Sequence, residues 1–191
     1  LIFFTPPLYA QTEKLDSLKR VIDQMPEDTI KVDALIDLSK SLMSTSLDET
    51  IRYAVQARDL ADSLNYRSGM AWALKNIGLG FYHQSDFLNV FEFWEKSLEI
   101  FKEIGHQRGI ANLESNLGSV YFNQGDDAKA IEYFLRSLRA AEAIKDSLGM
   151  GRALIGIGVV YQNKESTYDK AKEYNQQALS IFAQLNYGNG I

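Results

Sequence analysis

Three stretches decide how this chain folds: Leu74-Lys-Asn-Ile77-Gly78-Leu-Gly-Phe81, Glu114-Ser-Asn-Leu117-Gly118-Ser-Val-Tyr121 and Leu154-Ile-Gly-Ile157-Gly158-Val-Val-Tyr161. In each, an aliphatic residue precedes a glycine and an aromatic ring follows it three positions later, the spacing of one helix face. A glycine inside a helix costs about 1 kcal/mol relative to alanine. Three in register therefore imply a second helix crossing too close for a side chain.

Working outward, the three stretches sit at a fixed offset of 40 residues. Residues 68–107 laid on 108–147 are identical at ten positions, among them Gly69 with Gly109, Asn76 with Asn116, Gly78 with Gly118, Asp86 with Asp126 and Leu98 with Leu138. A third copy, 148–187, keeps Gly149 and Gly158 in register and gains one residue within Asn163–Tyr168. An earlier copy, 28–67, is more diverged and carries Leu38 where the others have glycine. Each copy holds two apolar-periodic segments around a polar turn, which predicts a helix A, turn, helix B hairpin. Ser46, Asp86, Asp126 and Thr167 stand before helix B, the residue types whose side-chain oxygens accept from free first-turn amides. Ser46 has Glu49 three positions on, the spacing of a capping box, and Gly125 fits a helix end. Leu15, Leu18, Ile22 and Met25 predict one further amphipathic helix within 11–27, before the first hairpin.

The glycine-aromatic signature of helix A, with Ala130-x-x-x-Phe134 in helix B, resembles the tetratricopeptide repeat. Helix B keeps this element only loosely in Val90-x-x-x-Trp94 and loses it in Ala171-x-x-x-Asn175, and the family's late proline is missing throughout. The 40-residue period resembles the longer-helix subclass of adaptor and bacterial signalling proteins. The resemblance implies an all-α fold, a right-handed superhelix (an α-solenoid) of four helix-turn-helix repeats, 28–67, 68–107, 108–147 and 148–187, plus the N-terminal helix. Ile77, Phe81, Trp94, Leu98, Leu117, Tyr121, Phe134, Leu138, Ile157, Tyr161 and Leu179 are the expected core between layers. Such an array needs capped ends. Residues 188–191 read as the start of a truncated fifth repeat, which predicts an apolar terminal face on 167–187 and a fragment of a longer protein, or self-assembly through that face.

Residues 1–10, Leu-Ile-Phe-Phe-Thr-Pro-Pro-Leu-Tyr-Ala, are apolar and uncharged and end in a small-residue pattern. They read either as a signal-peptide remnant, hence export to a periplasm-like compartment, or as an apolar arm of a cytoplasmic protein. No uncharged stretch reaches the roughly 20 residues needed to cross a bilayer. A net charge of −5 has the wrong sign for nucleic acid over the whole surface, and the absence of cysteine removes thiol catalysis and Cys-ligated metal. His83 and His106 lie in different helical contexts with no third ligand nearby in sequence, and no catalytic motif is found. The expectation is a non-catalytic chain with no cofactor and no metal.

What remains is a surface. The resemblance implies that helix A forms the concave wall on which protein or peptide ligands lie. The positions carried over are Trp72, Lys75, Asn76, Leu79 and Tyr82, with His83 beside them; Asn112, Ser115, Asn116, Ser119, Phe122 and Asn123; and Arg152, Ile155 and Val159, with Gln162 and Asn163 beyond. Asparagines can pair with both donors and acceptors of a peptide, and aromatic rings supply anchors. Lys75, Asn116 and Arg152 match positions that hold a terminal carboxylate in clamp-type members, whereas Leu79 and Gly156 occupy two other clamp positions. With the signal-like start, the arrangement resembles exported sensor regions of Bacteroidetes-type signalling proteins. The other readings are a cytosolic peptide-sensing regulator and a self-assembly module.

Overall fold

A computed structural model describes residues 7–163 and 165–185, with side chains from Leu15 onward. The described residues form helices joined by tight turns, with no strand: α1 (Pro7–Asp23), α2 (Thr29–Leu42), α3 (Leu47–Ser63), α4 (Arg67–His83), α5 (Phe87–Glu103), α6 (Gln107–Asn123), α7 (Asp127–Ala143), α8 (Ser147–Gln162) and α9 (Tyr168–Gln184), with a 3-10 turn at Glu165–Thr167. The first helix begins at Pro7, not near Gln11. Proline's fixed φ suits a first helical position, where its missing N–H costs nothing. Residues 1–6 and 186–191, which hold most of the signal-like stretch and the whole of the expected fifth-repeat start, lie outside the described residues. The chain forms two compact units, Leu1–Lys96 and Ser97–Ile191, divided within α5.

The glycine reading holds in each hairpin it was made for. A Cβ at Gly78 would fall on the indole of Trp94, one at Gly118 on the ring of Phe134, and one at Gly158 on the amide of Asn175. The aromatic three positions after each glycine stacks on a helix B ring: Phe81 on Phe93, Tyr121 on Tyr133 and Tyr161 on Tyr174, with centroids 5.6, 5.2 and 5.8 Å apart. These rings are half-buried, so they seal the hairpins at their edge and are not buried core as expected. Leu138 is likewise half-buried. Leu179 is 48% exposed, because among the described residues nothing packs over the outer side of α9. Ile77, Trp94, Leu98, Leu117, Phe134 and Ile157 are buried.

Three of the four expected helix B caps form. Ser46 accepts from Glu49 N–H at 3.3 Å, Asp86 from Asn89 N–H at 3.3 Å and Asp126 from Lys129 N–H at 3.0 Å. The return bond of a capping box is absent at Ser46, since Ser46 N–H donates to Leu42 O and the Glu49 carboxylate accepts from Lys19 on α1 at 2.8 Å. Lys19 is therefore held charged above its usual range, chiefly by that hydrogen bond, and it ties α1 to the first hairpin. Thr167 caps nothing: the one-residue insertion turns its hydroxyl back to donate to Tyr161 O at 2.5 Å.

The corners follow a shorter period than the repeats. Asn65, Ser85, Gly105, Gly125 and Lys145 all have positive φ, between 53° and 80°, and so occur every 20 residues. Each ends a helix in the left-handed conformation, and two of the five use glycine. Helix A has caps that the periodicity did not reveal. Asp28 accepts from Lys31 N–H at 3.0 Å, Asp146 from Gly149 N–H at 3.1 Å, and His106 Nδ1 from Gly109 N–H at 2.9 Å. That bond assigns His106 a structural role at the start of α6.

Candidate ligand-binding face

In the N-terminal unit, α2 and α4 border a cleft lined by Asp33, Ile36, Asp37, Lys40, Trp72, Lys75 and Asn76. Lys75 Nζ lies 5.2 Å from the centre of the Trp72 ring, a cation–π contact that lays the lysine stem along α4. Asn76 is only 4% exposed, and its Nδ2 donates to Ile36 O at 3.0 Å and Ser39 Oγ at 2.8 Å. Both donor bonds of this amide bind α4 to α2, so at the wall of the cleft it also serves as a joint between repeats. Tyr82 is half-buried and also has a packing role. Its ring stacks on Trp94 with centroids 5.8 Å apart and meets the edge of Phe87, closing its own hairpin. Leu79 is half-buried and His83 exposed. Asp33 and Asp37 were missed, because the expected wall positions lie only on the three copies that carry the glycine.

In the C-terminal unit, α6 and α8 bring Asn112, Ser115, Asn116 and Arg152 around one polar cleft of about 110 Å³, with Ala111, Ser137 and Gly149 completing it. The floor is rigid. Buried Ser137 of α7 donates to Ala111 O of α6 at 2.8 Å, and Gly149 is fixed by the Asp146 cap. Asn112 Nδ2 donates to Arg108 O at 2.8 Å and Ser119 Oγ to Ser115 O at 3.2 Å, so these two groups are partly satisfied within α6. Arg152 is exposed, and among the described residues neither its guanidinium nor the Asn116 amide has an internal polar partner. One and two turns along α8 from Arg152, Ile155 is 41% and Val159 37% exposed. The wall thus offers a cation and neutral donors beside an apolar stripe. Asn123 is exposed at the end of α6, and Gln162 and Asn163 are exposed at the end of α8. Phe122 is half-buried and packs against the buried cluster of Ala130, Phe134, Ile157 and Val160.

Lys75 belongs to the N-terminal unit and Arg152 to the C-terminal one. Asp33 and Asp37 share the first cleft with Lys40 and Lys75, whereas the second is lined by Arg152 with neutral polar and small residues. Among the described residues, the carboxylic acid displaced from its ordinary range is Glu114, pushed up by burial and pulled back less strongly by Lys102, Arg136 and Arg139, and it lines neither cleft.

Residues 109–184 match the family model described as tetratricopeptide repeat. These residues are tetratricopeptide repeats. Solved structures extend the fold to nearly the whole chain. Aspartyl phosphate phosphatase F from Bacillus subtilis matches 95% of this chain at 15% identity with a TM-score of 0.82. A Rap protein complexed with Competence and Sporulation Factor matches 92% at 18% identity with a TM-score of 0.79. This chain covers 50% of each of those two chains. A Signal Transduction ATPase with Numerous Domains protein with a tetratricopeptide repeat sensor, from Pyrococcus horikoshii, matches 91% at 20% identity with a TM-score of 0.74, and 27% of its own length is covered. At these identities the likeness is one of fold. No curated protein matches the chain in sequence. Among the described residues, no helix is long and apolar enough to cross a membrane. The hairpins present two walls, one with the carboxylates of Asp33 and Asp37 beside Lys40 and Lys75, the other with amides, hydroxyls, a guanidinium and aliphatic side chains.

Proposed function

We propose that the chain is a non-catalytic protein- or peptide-binding module, the sensory or scaffolding region of a larger bacterial signalling protein. The observation that carries this reading is the α6–α8 cleft, where unpaired Arg152 and Asn116 converge beside exposed Ile155 and Val159. Buried aliphatic area and charge-assisted hydrogen bonds supply affinity to a short segment. The chemistry fits a carboxylate-bearing peptide with an aliphatic side chain near the acid. Two structural relatives point the same way: the Rap protein is complexed with a named factor and the Pyrococcus protein is described as a sensor. The test is a panel of peptides ending in a free or an amidated carboxyl, read by fluorescence polarisation against the chain and its Arg152→Ala and Ile155→Ala variants. Each substitution should weaken the binding peptides about tenfold or more, without loss of helicity, because both side chains are exposed. Equal binding by all three proteins would remove this cleft from the function.

We also propose that the protein is exported, on the apolar and uncharged character of residues 1–10. Amino-terminal sequencing of the mature protein from a periplasmic fraction should begin at Gln11. A mature chain that retains Leu1–Ala10 in the cytoplasm would sink the proposal.

A further inference from the structure

In the α2–α4 cleft, of about 430 Å³, one nearly buried amide has its orientation dictated by its neighbours. Ser39 Oγ donates its single hydrogen to Ile36 O at 2.7 Å, so Ser39 Oγ and Ile36 O can only accept from Asn76. The amide nitrogen must face them, and Oδ1 must face away. Among the described residues Oδ1 accepts no hydrogen bond, and no side-chain oxygen that lacks a partner is shut off from solvent. Asn76 is 4% exposed and lines the cleft, so this oxygen is an acceptor fixed at its wall. It calls for a donor. Two more acceptors line the same cleft. Asp33 and Asp37 stand one turn apart on α2, the spacing at which like charges repel. Asp33 accepts from the Tyr66 hydroxyl at 3.2 Å, and the Asp37 carboxylate has no internal partner among the described residues. The cations of the cleft are placed otherwise. Lys75 lies over the Trp72 ring, and Lys40 stands in the last turn of α2, where free carbonyl ends favour positive charge. Half-buried Ile36 and Trp72 add apolar surface beside the polar groups.

We infer that the α2–α4 cleft holds an arginine side chain of a peptide ligand, its guanidinium donating to Asp33, Asp37 and Asn76 Oδ1 and its stem lying on Ile36 and Trp72. Arginine fits because its five donors lie in one plane, match carboxylates as a fork and are more weakly hydrated than an ammonium. Its stem is apolar enough to lie along a ring and an aliphatic side chain. The chemistry is opposite in sign to that of the α6–α8 cleft, and opposite to what the clamp-type match of Lys75 implies. This rests on the reading of the chain as a peptide-binding module, but not on the α6–α8 cleft.

The test is isothermal titration calorimetry of the 191-residue chain with a short peptide that carries a single arginine between leucines and is acetylated and amidated at its ends. Capped in this way, the peptide has no carboxylate to offer Arg152. It should bind, and its citrulline counterpart, equal in shape but uncharged, should bind about tenfold or more weakly. Asp33→Asn/Asp37→Asn should weaken the arginine peptide by a similar factor with far-ultraviolet circular dichroism unchanged, since both native side chains are exposed. If that variant loses helicity, Asp37→Asn alone decides on the same outcome. Arg152→Ala should leave the arginine peptide bound as before. A glutamate counterpart that binds as tightly as the arginine peptide would give the cleft to Lys40 and Lys75 and overturn the inference. So would an arginine peptide that fails to bind at about 1 mM, or that the helical double variant holds as tightly as the native chain. Arginine binding that persists while free and amidated carboxyl ends bind alike would remove the α6–α8 reading and leave this one standing.

Discussion

Replacing Trp94 by alanine should destabilise the N-terminal unit by about 3–5 kcal/mol, read as a shift in urea unfolding followed by circular dichroism. Trp94 is 1% exposed and heads the large, fully buried side chains. Its indole lies over Gly78 where a Cβ would stand, and Nε1 donates to Lys75 O at 2.9 Å. Truncation removes the ring and leaves α4 facing a void beside a glycine that no longer has a reason to be there. Gly78→Ala on the native background should also destabilise, by about 1–3 kcal/mol, although alanine is the better helix former, because overpacking against the indole outweighs propensity. A Trp94→Ala loss below about 1 kcal/mol would mean that the helix crossing is held by something other than this ring in its slot.

Glu114→Leu should do the opposite and stabilise the C-terminal unit, by about 1–3 kcal/mol at neutral pH. Glu114 is 5% exposed on α6, at a position where the neighbouring copies hold buried Leu74 and Leu154. Burial raises its carboxyl above the ordinary value of 4.5, and the attraction of Lys102, Arg136 and Arg139 lowers it less. A carboxyl raised in the folded state binds its proton more tightly there than in the unfolded chain. Its contribution is complete below the unfolded value and is lost as pH rises through the folded one. The advantage of Glu114→Leu over the native chain should therefore be smallest near pH 4 and widen toward neutrality, while Glu114→Gln should remove the pH dependence. Urea titrations across that range measure both. If leucine weakens the unit at pH 7, the three cations repay the burial of the carboxylate.

Repeat register was the most legible property of the chain, because a glycine and a ring three positions apart report a helix crossing that few other arrangements require. Caps at Ser46, Asp86 and Asp126 were legible for a similar reason: a short polar side chain before an apolar run has one favourable use. Thr167 broke the rule because one inserted residue changed which carbonyl its hydroxyl could reach. The wall was harder to read. Periodicity places Asn76, Tyr82 and Phe122 on the right helix, but it cannot tell whether a neighbouring carbonyl, ring or apolar cluster comes within reach of the side chain. Asn76 found Ile36 O, Tyr82 found Trp94 and Phe122 found the cluster of Ala130, Phe134, Ile157 and Val160. Arg152, Ile155 and Val159 stayed exposed because α8 carries them on the side away from α7 and α9. The left-handed corners at Asn65, Ser85 and Lys145 left no signal, since residues other than glycine took a conformation that glycine usually marks.

Those corners make the joints of this chain interchangeable. Asn65, Gly105 and Lys145 turn the backbone in the same sense at the same place, so a forty-residue cassette begins and ends on matching connectors. Copying or excising one such cassette would leave every junction with a shape it already has. Gene duplication could therefore lengthen the array without inventing a new linker, and later divergence would be confined to the helices.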